Sequence, residues 1–314
     1  MPLDLPKPTE FAVPAFVFFV LVEMIYGWKT GRAKFEGKDS LTSLFMGLGS
    51  TVSGAITASL TFVVAYWVWE NFRIFDMGAS WPVFALALVL DDLAYYWIHR
   101  FGHRSRWMWA AHVIHHSSQH YNLTTALRQT WTSQLTPSFL FKWPIFILGI
   151  EPAIVFFCAG LNLIYQFWFH TEAIDKMPRW FEAVFNTPSH HRVHHANNPK
   201  YLDSNYAGIF IIWDRLFGTF VPEDKNEPCR YGLVRDLGTF NPLRVAFHEW
   251  WGIVTDVWHA KGFRNKLMFL IAPPGWTPDG SRKTSDMIKA EWRERQEKAG
   301  HEGAASVASP EKAA

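Results

Sequence analysis

Histidine occurs 14 times in the 314 residues, and nine of these fall in or beside compact groups between His99 and His195. His99 and His103 form an H-x3-H pair. His112, His115 and His116 form an H-x2-H-H cluster, and His191, His194 and His195 repeat it directly after His190. His170 stands alone at the end of an apolar stretch. On a helix, residues three and four apart share a face, with Cβ atoms roughly 5–6 Å apart. His112 with His115 or His116 can therefore aim at one metal ion while the remaining member reaches a second. The third cluster can do the same from another helix. Eight or more imidazoles exceed what a single four- to six-coordinate ion can take, so two metals is the natural count.

Imidazole suits zinc, copper, iron and nickel alike, so the ligand type does not choose among them. No cluster contains a cysteine, which structural zinc would normally bring, and none carries the carboxylate base of an H-E-x-x-H hydrolase. An all-histidine, two-metal site at the mouth of a membrane bundle fits redox-active iron better. The reading from another class is a membrane zinc-binding or hydrolytic protein without a redox role. His120, His248, His259 and His301 lie outside the clusters and read as ordinary core or surface histidines.

The elements that must position these groups are apolar and long. Near-continuous apolar stretches cover residues 11–28, 45–69 and 82–98. Each approaches the roughly 20 residues that span a hydrocarbon core about 30 Å thick. A fourth region, 137–169, is broken at Gly149-Ile150-Glu151-Pro152 and reads as a helical hairpin. The expectation is an all-α fold: a bundle of four to five membrane helices under a helical cap, 99–135 and 170–273, that holds the histidines. Residues 1–273 form one domain on this reading. Residues 274–314 form a polar tail, disordered at its end. Lys29, Arg32, Lys34 and Lys38 follow the first helix, and Arg100, Arg104 and Arg106 the third, whereas the loop between the second and third holds only Arg73. By the positive-inside rule this predicts a multi-pass protein with every histidine box on the cytoplasmic side. The N-terminal decapeptide lacks the basic region of a cleaved signal peptide, so the first helix reads as a retained anchor. A net charge of +2 argues against a nucleic-acid partner, and Cys158 and Cys229 read as free thiols.

Four residues are candidates for supporting contacts behind the ligands. Asp92 lies seven residues before His99, on the same helical face, where it could orient a ligand histidine or Tyr96; Asn122 and His190 complete the set. Asp91 reads as structural, Lys142 as snorkelling to the surface, and Glu23 as an intramembrane acid with no visible partner. The aromatic run Tyr165–Phe169 is a candidate substrate wall.

The order of the boxes resembles the fatty acid hydroxylase/sterol desaturase superfamily of membrane di-iron enzymes. The flanks are more specific, and they resemble its alkylglycerol monooxygenase branch: Asp92-Leu-Ala-Tyr-Tyr-Trp-Ile-His99, Tyr121-Asn122-Leu-Thr-Thr-Ala-Leu-Arg128, Asn162 through Glu172, Asn186 through His195, Tyr201 through Gly208 and Ile212 through Phe220. The likeness covers roughly residues 15–278. It implies two iron ions held by His99, His103, His112, His115, His116, His191, His194 and His195, with His170 as a further ligand. It also implies O2 as oxidant and a membrane lipid as substrate. The implied electron donor is tetrahydrobiopterin or a redox protein. The implied reaction is hydroxylation of a lipid C–H bond, on an ether lipid, a sterol or a fatty acyl chain, with desaturation at the same site as the nearest variant. One position departs from the branch, where an acidic residue follows the second histidine of the first box: this chain has Arg104. That departure bears on pterin use and ether-lipid specificity.

Overall fold

Long apolar runs without internal caps build the first half of the chain, as seen in a computed structural model that describes residues 3–307, with side chains to residue 299. Helices α1 (Pro8–Thr30), α2 (Gly37–Phe72) and α3 (Trp81–Arg104) are each long and apolar enough to cross a membrane. Their outward faces carry exposed Phe11, Ile56, Leu60 and Trp81 among many others, an apolar surface far larger than a water-facing monomer tolerates. Among the described residues there is no β-strand; Phe185 and Phe210 make an isolated antiparallel bridge.

α2 runs 36 residues, two turns longer at its start than its apolar core predicts. At 1.5 Å per residue it is about 54 Å long, well beyond the hydrocarbon thickness. Its first turns therefore rise into the cap, where Asp39, Thr42, Ser43 and Met46 are buried. α3 likewise continues past residue 98 and carries His99 and His103 out of the apolar layer on its last turns. After α3 the chain folds back through α4 (Arg106–His116) and α5 (Leu123–Ala126).

The broken apolar region is the expected hairpin. It begins as 3-10 turns, Ser133–Leu135 and Pro137–Lys142, continues as α6 (Trp143–Leu148) and returns as α7 (Pro152–Trp168). Its two arms are shorter than α1–α3. Gly149 turns the chain at φ 118°, where a Cβ would meet the Phe75 carbonyl at 2.1 Å, so only glycine fits there. This corner is pinned to the end of α2 and the α2–α3 loop by Trp69 Nε1 to Gly149 O (3.2 Å) and Ile74 N–H to Ile147 O (2.8 Å). All the histidine boxes and the basic 29–38 loop thus gather at the opposite end of the bundle. Asn122 Nδ2 donates to Lys34 O there (2.8 Å).

Three charged residues within the apolar helices find partners that sequence reasoning did not supply. Lys142 does not snorkel: its Nζ lies 2.6 Å from Asp91 Oδ1. Glu23 accepts from Leu123 N–H (2.7 Å) and from the Thr171 hydroxyl, tying α1 to the cap.

The cap continues as α8 (Arg179–Val184), α9 (Pro188–His195), α10 (Ile212–Leu216), α11 (Pro242–His259), α12 (Phe263–Ile271) and α13 (Ser285–Val307). The stretch expected as a polar tail is in large part this last helix. Its start docks on the cap through Asp286 to Arg104 (2.6 Å) and Lys289 to Leu202 O (2.5 Å). Disorder is the expectation for residues 300–314; residues 300–307 instead continue α13, and 308–314 lie outside the described residues.

Asp39 is the keystone of the α2–cap junction. Oδ1 pairs with Arg128 Nη1 at 2.9 Å, and Oδ2 accepts from Ser118 Oγ (3.0 Å), Gln119 N–H (3.0 Å) and His120 N–H (3.1 Å). Both side chains of the ion pair are buried. Removing one partner leaves the other charge stranded, which costs about 3–5 kcal/mol. Asp39→Ala is expected to lower unfolding free energy in detergent by that amount, and a loss below about 1 kcal/mol would contradict the assignment.

Candidate metal centre

The nine expected histidines converge, and they do so as two groups rather than one. His99, His103, His112, His116 and His194 bring five ring nitrogens within 4.8 Å of one another; His115, His170, His191 and His195 bring four. The split runs through the boxes. On α4, His112 and His116 (i, i+4) share the first group while His115 turns to the second. On α9, His191 and His195 (i, i+4) share the second while His194 turns to the first. Spacing alone left open which partner His112 takes; one helical turn settles it as His116. His170, isolated in sequence, is brought in by the end of α7.

Within the first group, Nε2–Nε2 distances are 3.0 Å for His99–His112, 2.9 Å for His112–His116 and 3.1 Å for His116–His194. In the second they are 3.2 Å for His115–His170, 3.0 Å for His170–His191 and 3.1 Å for His191–His195. The outer nitrogens explain what kind of contact these are. His99 Nδ1 lies 2.7 Å from Tyr206 O, His194 Nδ1 2.9 Å from Ser204 O, His115 Nδ1 3.2 Å from Arg128 O and His170 Nδ1 2.8 Å from Gln166 O. A carbonyl only accepts, so each of these Nδ1 atoms carries the proton and each Nε2 presents a lone pair. His115 and His170 therefore face each other lone pair to lone pair, with no proton between them.

The rings are held neutral. Burial pushes the His115 imidazole down to about 4, and His112, His116, His170, His191, His194 and His195 well below the ordinary histidine range, burial being the largest cause in each. The inner nitrogen of His103, buried, has no hydrogen-bond partner among the described residues. Neutral, inward-facing, carbonyl-oriented imidazoles are the donor set that a divalent transition metal requires. With metal–nitrogen bonds of about 2.0–2.1 Å, two ligands at right angles sit about 3 Å apart, which is the spacing found here.

The collar that supplies two of those carbonyls is the loop Tyr201–Gly208. Asp203 and Asn205 take left-handed backbone conformations (φ 51° and 55°), which Asp and Asn tolerate better than other side chains. Asp214 receives Tyr206 N–H and Ala207 N–H, both at 2.8 Å, and the Thr219 hydroxyl at 2.6 Å. Sequence reasoning did not single out Asp214, although it lies within the Ile212–Phe220 segment that carries the resemblance.

None of the four supporting candidates makes a side-chain hydrogen bond to a clustered histidine. Asp92 accepts from Ile209 N–H (2.6 Å), Phe210 N–H (2.9 Å), Trp213 Nε1 (2.9 Å) and Asn162 Nδ2 (3.0 Å). It thus clamps the exit of the collar, and bears on His99 and His194 only through that loop. Tyr96 hydroxyl meets Thr219 Oγ1 and Arg100 Nη1, both at 3.0 Å. Asn122 caps α5. His190 sits outside both groups, against the Phe220 ring and 4.0 Å from Glu182; burial drives its imidazole to about 3. Of the aromatic run, Phe169 does pack on the site, with its ring centroid 4.2 Å from His191, whereas Phe167 stacks on Phe16 and Tyr165 holds Asn186 O (2.9 Å). Tyr121, donating to Phe169 O (3.0 Å), closes the second group near His195. A cavity of about 800 Å³ reaches His103, His116, His194 and His195 from the cap side, and α13 forms part of its wall.

The helices lift two histidine groups to one end of the apolar bundle. Residues 84–219 match the fatty acid hydroxylase family model. Over most of its length the chain is similar to alkylglycerol monooxygenases. It is 40% identical over 282 residues to the alkylglycerol monooxygenase of Danio rerio and 39% over 282 to that of Homo sapiens. Each alignment takes in 89% of this chain and 62% of the relative. The ornithine lipid hydroxylase of Rhizobium tropici is 27% identical over 144 residues, 45% of this chain and 43% of that protein. No solved structure matches the chain significantly. The chain spans about three fifths of the length of the alkylglycerol monooxygenases it matches.

Gly208 tests the collar. A Cβ there would lie 2.5 Å from Asp92 Oδ1 and 2.7 Å from Asn162 Oδ1, both held by other bonds. Gly208→Ala is expected to destabilise the protein by about 1–3 kcal/mol, read as a lowered midpoint of thermal unfolding, while Gly54→Ala, in open space on α2, is neutral or stabilising. Equal midpoints for the two variants would refute the tight packing.

Proposed function

We propose that the chain is the catalytic part of an O2-dependent, di-iron membrane monooxygenase that hydroxylates a lipid C–H bond. The substrate class it fits best is an alkylglycerol ether lipid, attacked at the carbon beside the ether oxygen. The observation that carries the metal reading is the His115–His170 contact: two buried neutral imidazoles aim lone pairs at each other at 3.2 Å, an arrangement that calls for a cation between them. The alkylglycerol monooxygenase and lipid hydroxylase relatives support the chemistry.

His99, His103, His112, His116 and His194 would hold one ion, and His115, His170, His191 and His195 the other. Bound there, a pair of iron ions would supply O2 activation and the oxidation of an unreactive C–H bond. The chain's own residues do the rest. Backbone carbonyls of Ser204, Tyr206, Arg128 and Gln166 fix ring orientation, and the buried walls formed by Phe169, Tyr121 and Tyr206 exclude water around the donors. The lipid would reach the donors from the apolar layer, since α3 and α7 run directly from that layer to His99 and His170. On the positive-inside argument the boxes lie on the cytoplasmic side, where a soluble donor, tetrahydrobiopterin or a redox protein, could reach the cap cavity. Arg104 stands at the edge of this region, paired with Asp203 and Asp286, where the branch has an acid.

Two irons per chain are expected by elemental analysis of protein isolated from its native membrane. His115→Ala and His112→Ala should each lower that count toward one or below. Zinc alone in such preparations would favour the non-redox reading. Incubation of the reduced enzyme with alkylglycerols under 18O2 should give product carrying one labelled oxygen. A product lacking two hydrogens and carrying no label would identify a desaturase instead, and unlabelled, unchanged lipid would overturn the assignment.

A further inference from the structure

The cap presents one surface that the metal chemistry does not use. Along α11, Leu243, Phe247, Trp251, Val254 and Trp258 are all exposed, Trp251 by 73% and Trp258 by 80%. At 100° per residue they fall within an arc of about 80°. The other side of the same helix is engaged: Val245, Ala246 and Ile253 are buried, and Glu249 and Asp256 pair with Arg106 at 2.6 Å each. The stripe is therefore not a surface waiting for the rest of this fold. α12 continues the pattern with Phe263, Leu267 and Ile271, exposed at successive turns.

What covers the stripe is indicated by its neighbours. Thr42 Oγ1 donates to Phe240 O (2.9 Å), which sets the start of α11 beside the first turns of α2, level with the basic 29–38 loop. Trp131 joins the two helices, its Nε1 on Met46 O (2.9 Å) and its ring 6.2 Å from Phe247. Beside this junction α2 exposes Leu44, Phe45 and Leu48, the beginning of its own apolar face. The stripe is thus continuous with the surface that the membrane helices turn to lipid. The charges left exposed around it are basic, Arg244, Lys261, Arg264 and Lys266, whereas the acids of α11 face inward to Arg106 and Arg282. Apolar and Trp-bearing on one face, with exposed basic flanks, the pair has the composition of helices that lie in a bilayer interface.

We propose that α11 and α12 form a monotopic membrane-binding pair, lying in the interface of the same bilayer that α1–α3 enter. Leu243, Phe247, Trp251, Val254 and Trp258 would sit at the headgroup–acyl boundary, and the basic flanks would prefer anionic lipid. The cap is then not a free cytoplasmic lobe but is held against the membrane on the α2 side. This reading needs membrane insertion of α1–α3 but not the oxidation chemistry.

The full chain, with Cys229→Ser, would be spin-labelled at single sites and reconstituted in phosphatidylcholine vesicles with and without phosphatidylglycerol. Val254→Cys reports the stripe, and His259→Cys, exposed on another face of α11, reports the aqueous side. Expected is a several-fold lower collision rate with a water-soluble nickel chelate, and a higher one with dissolved oxygen, at 254 than at 259. The contrast should grow with phosphatidylglycerol. Equal nickel accessibility at the two sites would overturn the proposal. So would protection at 254 accompanied by spin–spin broadening between labels of two chains, which identifies a second copy as the occupant. These readouts are independent of turnover, so an inactive preparation that still shows the contrast would count against the oxidase reading alone.

Discussion

Neutral nitrogen lone pairs do not settle around 3 Å apart unless something attractive lies among them. Every other part of the cap can be understood as enforcing that convergence. The tautomer of four rings is set by backbone carbonyls, and those carbonyls come from segments that are themselves clamped: the collar by Asp92 and Asp214, Arg128 by Asp39, Gln166 by its place on α7. Buried acids and bases that would be liabilities elsewhere serve here as anchors for backbone. Their own charges are compensated by several hydrogen bonds each, the condition under which burial of a charge is tolerable.

The apolar helices serve the same constraint from the other side. They end where the histidines begin, so that the last turn of α3 and the end of α7 deliver ligands at a common level. The far end of the bundle is closed by a glycine corner whose carbonyls accept from Trp69 at the end of α2 and from Ile74 in the α2–α3 loop. A polar lobe and an apolar bundle are thus joined by shared helices rather than by a linker, and Glu23 and Asp39 act as pegs across the seam.

Much of this was legible in the sequence. The i, i+3 and i, i+4 spacing of the boxes encodes a helical frame, and counting the imidazoles called for two groups of donors. Long uncapped apolar runs marked α1–α3 and the hairpin. What the chain order could not reveal is which backbone groups a side chain meets across the fold. Asp92 has the helical phase to approach His99, yet four donors from the collar and α7 claim its oxygens first. Lys142 looked like a residue seeking water because Asp91 is distant in sequence, and Glu23 lacked a partner for the same reason. The C-terminal segment read as a tail because its composition is polar, but a polar helix can dock through a few ion pairs, as Asp286 does with Arg104. Asp214 gave no periodic signal at all; its role comes from two amides brought to it by the reversal of the chain between Tyr206 and Asp214.

The interleaving of the two histidine groups has a consequence for assembly. Because His115 and His116 are neighbours on α4, and His194 and His195 on α9, each of these helices belongs to both groups. An ion that settled in either group would freeze the two helices that frame the other. The ordering entropy would be spent once, and the second ion would find its donors already in place. Loading would then be cooperative, with half-filled protein scarce at equilibrium, although α4 and α9 each send two histidines to one group and the third to the other. On the proposed di-iron reading, a fold built this way would guard against a lone metal ion, which could otherwise reduce oxygen without a partner to complete the chemistry.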